Sequence, residues 1–354
     1  MAASASEWTA KQQPDIKQHS QTENHSLVLA ATSPPMTRFL TLLSALVLAA
    51  TTLANAKQDL TILLLIGSDG TSEYGDAFRE DAALWIEAAR KADAEMKVVG
   101  IEDSGKNNDA EIFKKHLTEI KTNQLWVVLI GHGTFDGREA KFNVRGPDFT
   151  DDELVGWLDA YEGQLALINT APASGSLIRK ASRPDRIVIT ATKNESETSY
   201  THFGRYFAKA IAGAAAADLD NDEQVSLLEA FIHASNETTL FYKSENRIAT
   251  EHALIDDNGD ERGSRAEWFK GTTATRSAEK DASPDGEIAG RQVLLPNAFE
   301  RRLTDGQRTK RNQLEIEVRA LRRDKENLEE ETYYKRLEEL LLQLAAIYEQ
   351  VPES

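Results

Sequence analysis

The chain has 354 residues, 40% hydrophobic and 28% charged, with a formal net charge of −17 and no cysteine. Such a length and balance describe a folded chain with a sizeable core, and the negative surface argues against nucleic acid as a partner. Lacking cysteine, the chain has no disulfides, no thiolate metal sites and no thiol nucleophile.

The first recognisable signal is a targeting one. Met36-Thr37-Arg38 is a short basic start, Phe39 to Ala50 is apolar, and Ala54-Asn55-Ala56 fits a small-x-small cleavage site. Residues 36–56 are therefore expected to be a signal peptide, with an exported (periplasmic or extracellular) mature chain from Lys57. The apolar run is too short to span a bilayer, so no transmembrane segment is expected after cleavage. Residues 1–35 are polar and patternless (Gln12, Gln13, His19, Gln21, His25), and Met36 is the expected start, with 1–35 a non-native extension.

From Asp59 the pattern alternates strand and helix. Leu60 to Ile66 is continuously apolar, as a strand buried on both faces should be. Phe78, Ala82, Trp85, Ile86 and Ala89 recur at helical spacing within 73–92. Strands are expected over Met96–Ile101, Leu125–Ile130, Leu165–Ile168 and Arg186–Thr190, and helices over 109–121, 150–160, 201–213 and 226–240. Thr150 with Glu153 three residues on reads as a capping box. Residues 57–250 thus form an α/β domain with a mainly parallel sheet, whose functional groups gather beyond the carboxyl ends of its strands.

Two acidic stretches follow the order of a calcium-binding EF-hand loop. In the first, Asp218, Asp220 and Asp222 stand at positions 1, 3 and 5 and Glu229 at position 12. In the second these places fall to Asp256, Asn258, Asp260 and Glu267. A hard cation needs six to eight oxygens, and this spacing wraps the chain around one ion. Position 6, normally glycine for a sharp turn, is Glu223 or Glu261. Calcium is the cofactor this pattern calls for; the alternative is an acidic cap on the helix that starts near Val225.

Residues 251–300 read as this second acidic loop plus a linker, rich in Thr, Ser, Gly and Asp over 271–290. Residues 301–354 read as a charged helical tail. Leu314, Leu321 and Leu328 recur every seven residues, and Leu337, Leu341, Leu344, Tyr348 and Val351 alternate in fours and threes. That seam suits self-association through 305–350 or a hairpin folded on its own domain. His116, His202, His233 and His252 show no paired ligand spacing. Gly67-Ser68-Asp69-Gly70 lacks the lysine of a phosphate loop.

The segment Trp126-Val127-Val128-Leu129-Ile130-Gly131-His132-Gly133 resembles the strand that carries the catalytic histidine in the caspase and legumain peptidases. Forty residues on, Asn169-Thr170-Ala171-Pro172-Ala173-Ser174-Gly175-Ser176 is similar to the segment that carries their cysteine. The run Ile187 to Thr192 is similar to the strand that follows. The resemblance covers roughly residues 58–250. It implies a three-layer α/β sandwich, with His132 at the opening of the substrate cleft and Pro172 in the nucleophile's place. Proline cannot act as a nucleophile, so the family's thiolate mechanism is absent. The leading expectation is an exported pseudopeptidase that binds a peptide or protein. A hydrolase using Ser174 with His132 is the enzymatic alternative, and a self-associating envelope protein the structural one. His132 reads either as a base or as a merely hydrogen-bonded residue, and Ser174 as a nucleophile or a turn residue.

Overall fold

A computed structural model describes residues 59–101, 108–278 and 283–351. The start-site and signal-peptide expectations for residues 1–56 lie outside these.

Apolar runs and amphipathic stretches alternate in the chain, and strands and helices alternate with them. Strand β1 (Leu60–Ile66) leads into helix α1 (Ser72–Ala92), then β2 (Glu95–Val99), α2 (Asp109–Glu119) and β3 (Gln124–Ile130). Three short strands follow: β4 (Gly133–Phe135), β5 (Ala140–Phe142) and β6 (Phe149–Thr150). After them come α3 (Asp151–Leu158), β7 (Gln164–Asn169), α4 (Leu177–Ala181), β8 (Arg186–Thr190), α5 (Phe203–Ile211), α6 (Leu227–Ser244) and β9 (Leu254–Asp256). The small ribbon of β10 (Phe269–Lys270) and β11 (Thr273–Ala274) precedes the last two helices, α7 (Asp305–Arg323) and α8 (Glu330–Glu349).

The main sheet runs β2-β1-β3-β7-β8-β9, parallel throughout except for β9 at its edge. All seven residues of β1 are buried, because helices cover both faces. Ile62, Leu64 and Ile66 meet one apolar layer, which includes Phe78, Trp85, Phe203, Phe207 and Phe231. Leu63 and Leu65 meet the other, with Phe113, Leu117, Leu154, Leu158 and Leu177. Alternation along a single strand therefore builds the three-layer sandwich.

From β1 the chain moves to β2 on one side and then returns past β1 to β3 on the other. The order reverses between β1 and β3. A crevice opens there, beyond the carboxyl ends of the two strands.

The sequence reading missed the antiparallel ribbon β4-β5-β6, which bridges β3 and α3, and the edge strand β9. Each strand has only two or three residues, too few for alternation to register. It also treated 271–290 as a linker. The structure fixes the end of that stretch to the body: Ala289 is fully buried in the first apolar layer, and the N–H groups of Gly286, Ile288 and Ala289 donate to Asp257. The capping box of Thr150 and Glu153 opens α3 as its spacing predicts.

The tail is a helical hairpin. Asp324 ends α7 and a 3₁₀ turn spans Lys325–Asn327, so the heptad series breaks before Leu328. The buried face pairs Leu303 and Leu314 with Ile347 and Val351, flanked by Leu340 and Leu344, while Leu341 and Tyr348 stay exposed. Arg311 to Glu300 and Arg323 to Glu287 tie α7 to the segment before it.

Candidate functional site

The crevice at the strand reversal is a cleft of about 430 Å³, lined by loops from four strand ends. Ser68, Gly70 and Tyr74 come from beyond β1, His132, Gly133 and Thr134 from beyond β3, Pro172 from beyond β7, and Thr198 and Tyr200 from beyond β8; Asn143 completes it.

His132 follows β3 directly, which places its ring at the mouth. Its Nε2 lies 3.2 Å from the Asp69 carbonyl oxygen, joining the two strand ends across the reversal. Tyr74 and Phe78 meet the imidazole edge-on at 4.9 and 5.0 Å, and Tyr74 stacks on Tyr200 at 5.0 Å. Burial pushes the Tyr200 phenol up to about 12, so it remains a neutral hydrogen-bond donor. Asp136 does not orient His132; its carboxylate accepts the backbone N–H groups of Arg138 and Glu139 in its own turn.

Gly133 allows the loops after β3 and β7 to touch. A Cβ on Gly133 would fall 2.0 Å from the Pro172 carbonyl oxygen. Pro172 is thus held against the His132-Gly133 strand end, at the position the resemblance gives to the nucleophile. The loop after it is fixed by Ala173, whose backbone is left-handed (φ 57) and whose N–H donates to the Glu197 carbonyl oxygen.

Ser174 is placed elsewhere. It is only 1% exposed, its Oγ lies 3.2 Å from the Thr192 Oγ1, and it does not line the cleft. The structure does not bring it together with His132. Ser176 donates to the buried Asp151 carboxylate, which burial pushes up to about 6. Of the serine and threonine hydroxyls that do line the cleft (Ser68, Thr134, Thr198), none is bonded to His132 among the described residues.

The first acidic loop gathers as its spacing predicts. Carboxylate oxygens of Asp218, Asp220 and Asp222 lie within 4.8 Å of one another. Glu223 takes the left-handed backbone (φ 67) that position 6 demands, and Asn221 does so at position 4 (φ 60). Glu229 reaches back toward the loop, but its oxygens accept from Leu219 N, Ser226 N and the Ser226 hydroxyl, capping α6.

The second loop has the same backbone signature, with Gly259 at φ 79 and Glu261 at φ 64. Asp256, Asn258 and Asp260 form its turns: Asp256 accepts Gly259 N, Asn258 accepts Asp260 N, and Asp260 accepts Arg262 N. Glu267 does not join them. It is exposed and lines a second cleft of about 190 Å³ with Glu251, His252 and Arg265. The sequence reading missed the aromatic lining of the first cleft, Tyr74 and Tyr200, because neither lies in a motif. It also missed Ser264, which stands at position 9 of the second loop, and Asp285, which lies outside the loop and meets it only through the fold.

No family model matches this chain, and no curated protein does. Among solved structures it is similar to caspase-1 from Spodoptera frugiperda, with 11% identity and a TM-score of 0.38, covering 57% of this chain and 87% of that one. It is likewise similar to the Drosophila initiator caspase Dronc, with 11% identity and a TM-score of 0.34, over 56% of this chain and 78% of that one. For drICE the identity is 10% and the TM-score 0.34, over 56% and 86%.

Proposed function

We propose that this chain is an exported, non-nucleophilic relative of the caspase and legumain peptidases that binds an extended peptide segment in the cleft beside His132. The observation that carries the reading is the cleft itself. It lies at the strand reversal of a parallel sheet, where such folds hold their ligands, and it is lined by Pro172, the residue that the sequence resemblance aligns with the nucleophile. Its lining suits a polypeptide: stacked tyrosines for an apolar side chain, with Ser68, Thr134, Asn143 and Thr198 as neutral hydrogen-bonding groups for backbone.

The buried Ser174 weighs against the serine-hydrolase alternative, since its hydroxyl is turned to Thr192. Export rests on the Met36 to Ala56 pattern alone.

Peptides selected from a random display library on the full chain test the reading. They should bind the wild type and lose at least tenfold in affinity with Tyr200→Ala, while an activity-based fluorophosphonate probe labels nothing. Peptides indifferent to Tyr200→Ala would move the binding site elsewhere. Labelling that Ser174→Ala abolishes would return the hydrolase.

A further inference from the structure

Three carboxylates are buried where β9 ends: Asp256 at 0%, Asp257 at 1% and Asp285 at 2% exposure. Ionised carboxylates that deep are costly unless their oxygens are satisfied. Asp257 is satisfied. One oxygen accepts Gly286 N and the other accepts Ile288 N and Ala289 N, all at 2.8 Å, with Arg291 adding positive charge nearby. It staples the 285–289 segment to the end of the sheet.

Asp256 and Asp285 are each half-satisfied. Oδ1 of Asp256 accepts Gly259 N, and Oδ1 of Asp285 accepts Asp257 N and Asn258 N. Their Oδ2 atoms are buried without a hydrogen-bond partner, and so is the Ser264 hydroxyl. The three belong to one neighbourhood. Ser264 pairs with Ile255 through both backbone groups, one residue from Asp256. Its hydroxyl lies beside the Asp285 carboxyl, close enough to favour the ionised form but without hydrogen-bond geometry. Asp256 and Asp285 repel each other, and burial drives both carboxyls upward.

Two buried carboxylate oxygens and a hydroxyl oxygen, all unpartnered, are hard donors of the kind that a hard cation takes, three of its six to eight, water filling the rest. We propose that Asp256, Asp285 and Ser264 hold a calcium ion, which joins the second acidic loop and β9 to the 283–289 segment. This departs from the ligand set the loop's own spacing suggests, since Glu267 is replaced by a residue outside the loop. Neither acid needs to move its Oδ1, so the turns at Gly259 and Asn258 stay intact. The site goes beyond the peptide-binding reading and stands or falls apart from it. The gathered carboxylates of Asp218, Asp220 and Asp222 have no unpartnered buried oxygen among them and are the competing location.

The test is thermal melting of the full chain, stripped with EDTA, with and without 10 mM calcium. A millimolar site in a chain of this size should raise Tm by about 2–4 °C through mass action. Wild type and Asp218→Asn should both show that rise, and Asp285→Asn should not. Should Asp285→Asn fail to fold, Ser264→Ala serves instead, and its calcium midpoint should be several-fold higher than that of wild type. No rise in wild type, a rise lost only in Asp218→Asn, a rise kept in Asp285→Asn, or an unchanged midpoint in Ser264→Ala would each overturn the site.

Discussion

Glu251 offers a direct reading of what burial does to this fold. The residue is 3% exposed and caps the start of α5, accepting His202 N at 2.8 Å, Phe203 N at 3.0 Å and the Tyr242 hydroxyl at 3.0 Å. Burial outweighs those donors and pushes the carboxyl from its ordinary 4.5 to about 7. Between those values the folded chain binds a proton that the unfolded chain has lost. The stabilisation is complete below pH 4.5, declines as pH rises and is gone above pH 7. At about 1.4 kcal/mol per pH unit, the loss across that window is about 3 kcal/mol. Glu251→Gln keeps the shape and an acceptor oxygen but cannot ionise. Urea unfolding of both proteins followed by circular dichroism, at intervals from pH 4.5 to 8, should show the variant gaining about 3 kcal/mol relative to wild type. Asp81 and Asp151, both raised to about 6, titrate in both proteins and cancel in the difference. Parallel stability curves would refute the reasoning, because they would mean that the backbone donors fully offset the burial.

Two further substitutions address the backbone that shapes the cleft and the first acidic loop. Gly133→Ala drives a Cβ to 2.0 Å from the Pro172 carbonyl oxygen, so one strand end must shift. Urea unfolding should register a loss of about 2–3 kcal/mol, and a loss under about 0.5 kcal/mol would mean that the two strand ends do not meet. Glu223→Gly removes a side chain from an exposed left-handed position and should stabilise by about 0.5–1 kcal/mol, measured the same way; destabilisation would show that φ is not positive there.

The layered core is legible in the sequence alone. Its central strands read as nearly unbroken apolar runs, because a parallel sheet covered on both faces strongly favours them, and Leu60 to Ile66 (apart from Thr61) and Leu125 to Ile130 carry that signature. The capping box at Thr150 and the gathering of Asp218, Asp220 and Asp222 are legible there too, since both depend on spacings of a few residues along one segment. The heptad run in the tail misled for the same local reason: its period continues through Leu328, while Asp324 ends the helix. The remaining features depend on contacts between distant segments. Ser174 and Pro172 are two residues apart in the chain, yet the left-handed turn at Ala173 separates them, and Pro172 lines the cleft while Ser174 is sealed against Thr192. Asp285 stands beyond the second acidic loop and meets it because its Oδ1 accepts Asp257 N and Asn258 N, while Asp257 in return holds the N–H groups of Gly286, Ile288 and Ala289, just after it in the chain. Local spacing carries no record of such meetings, since they arise from the order in which the sheet brings its strand ends together.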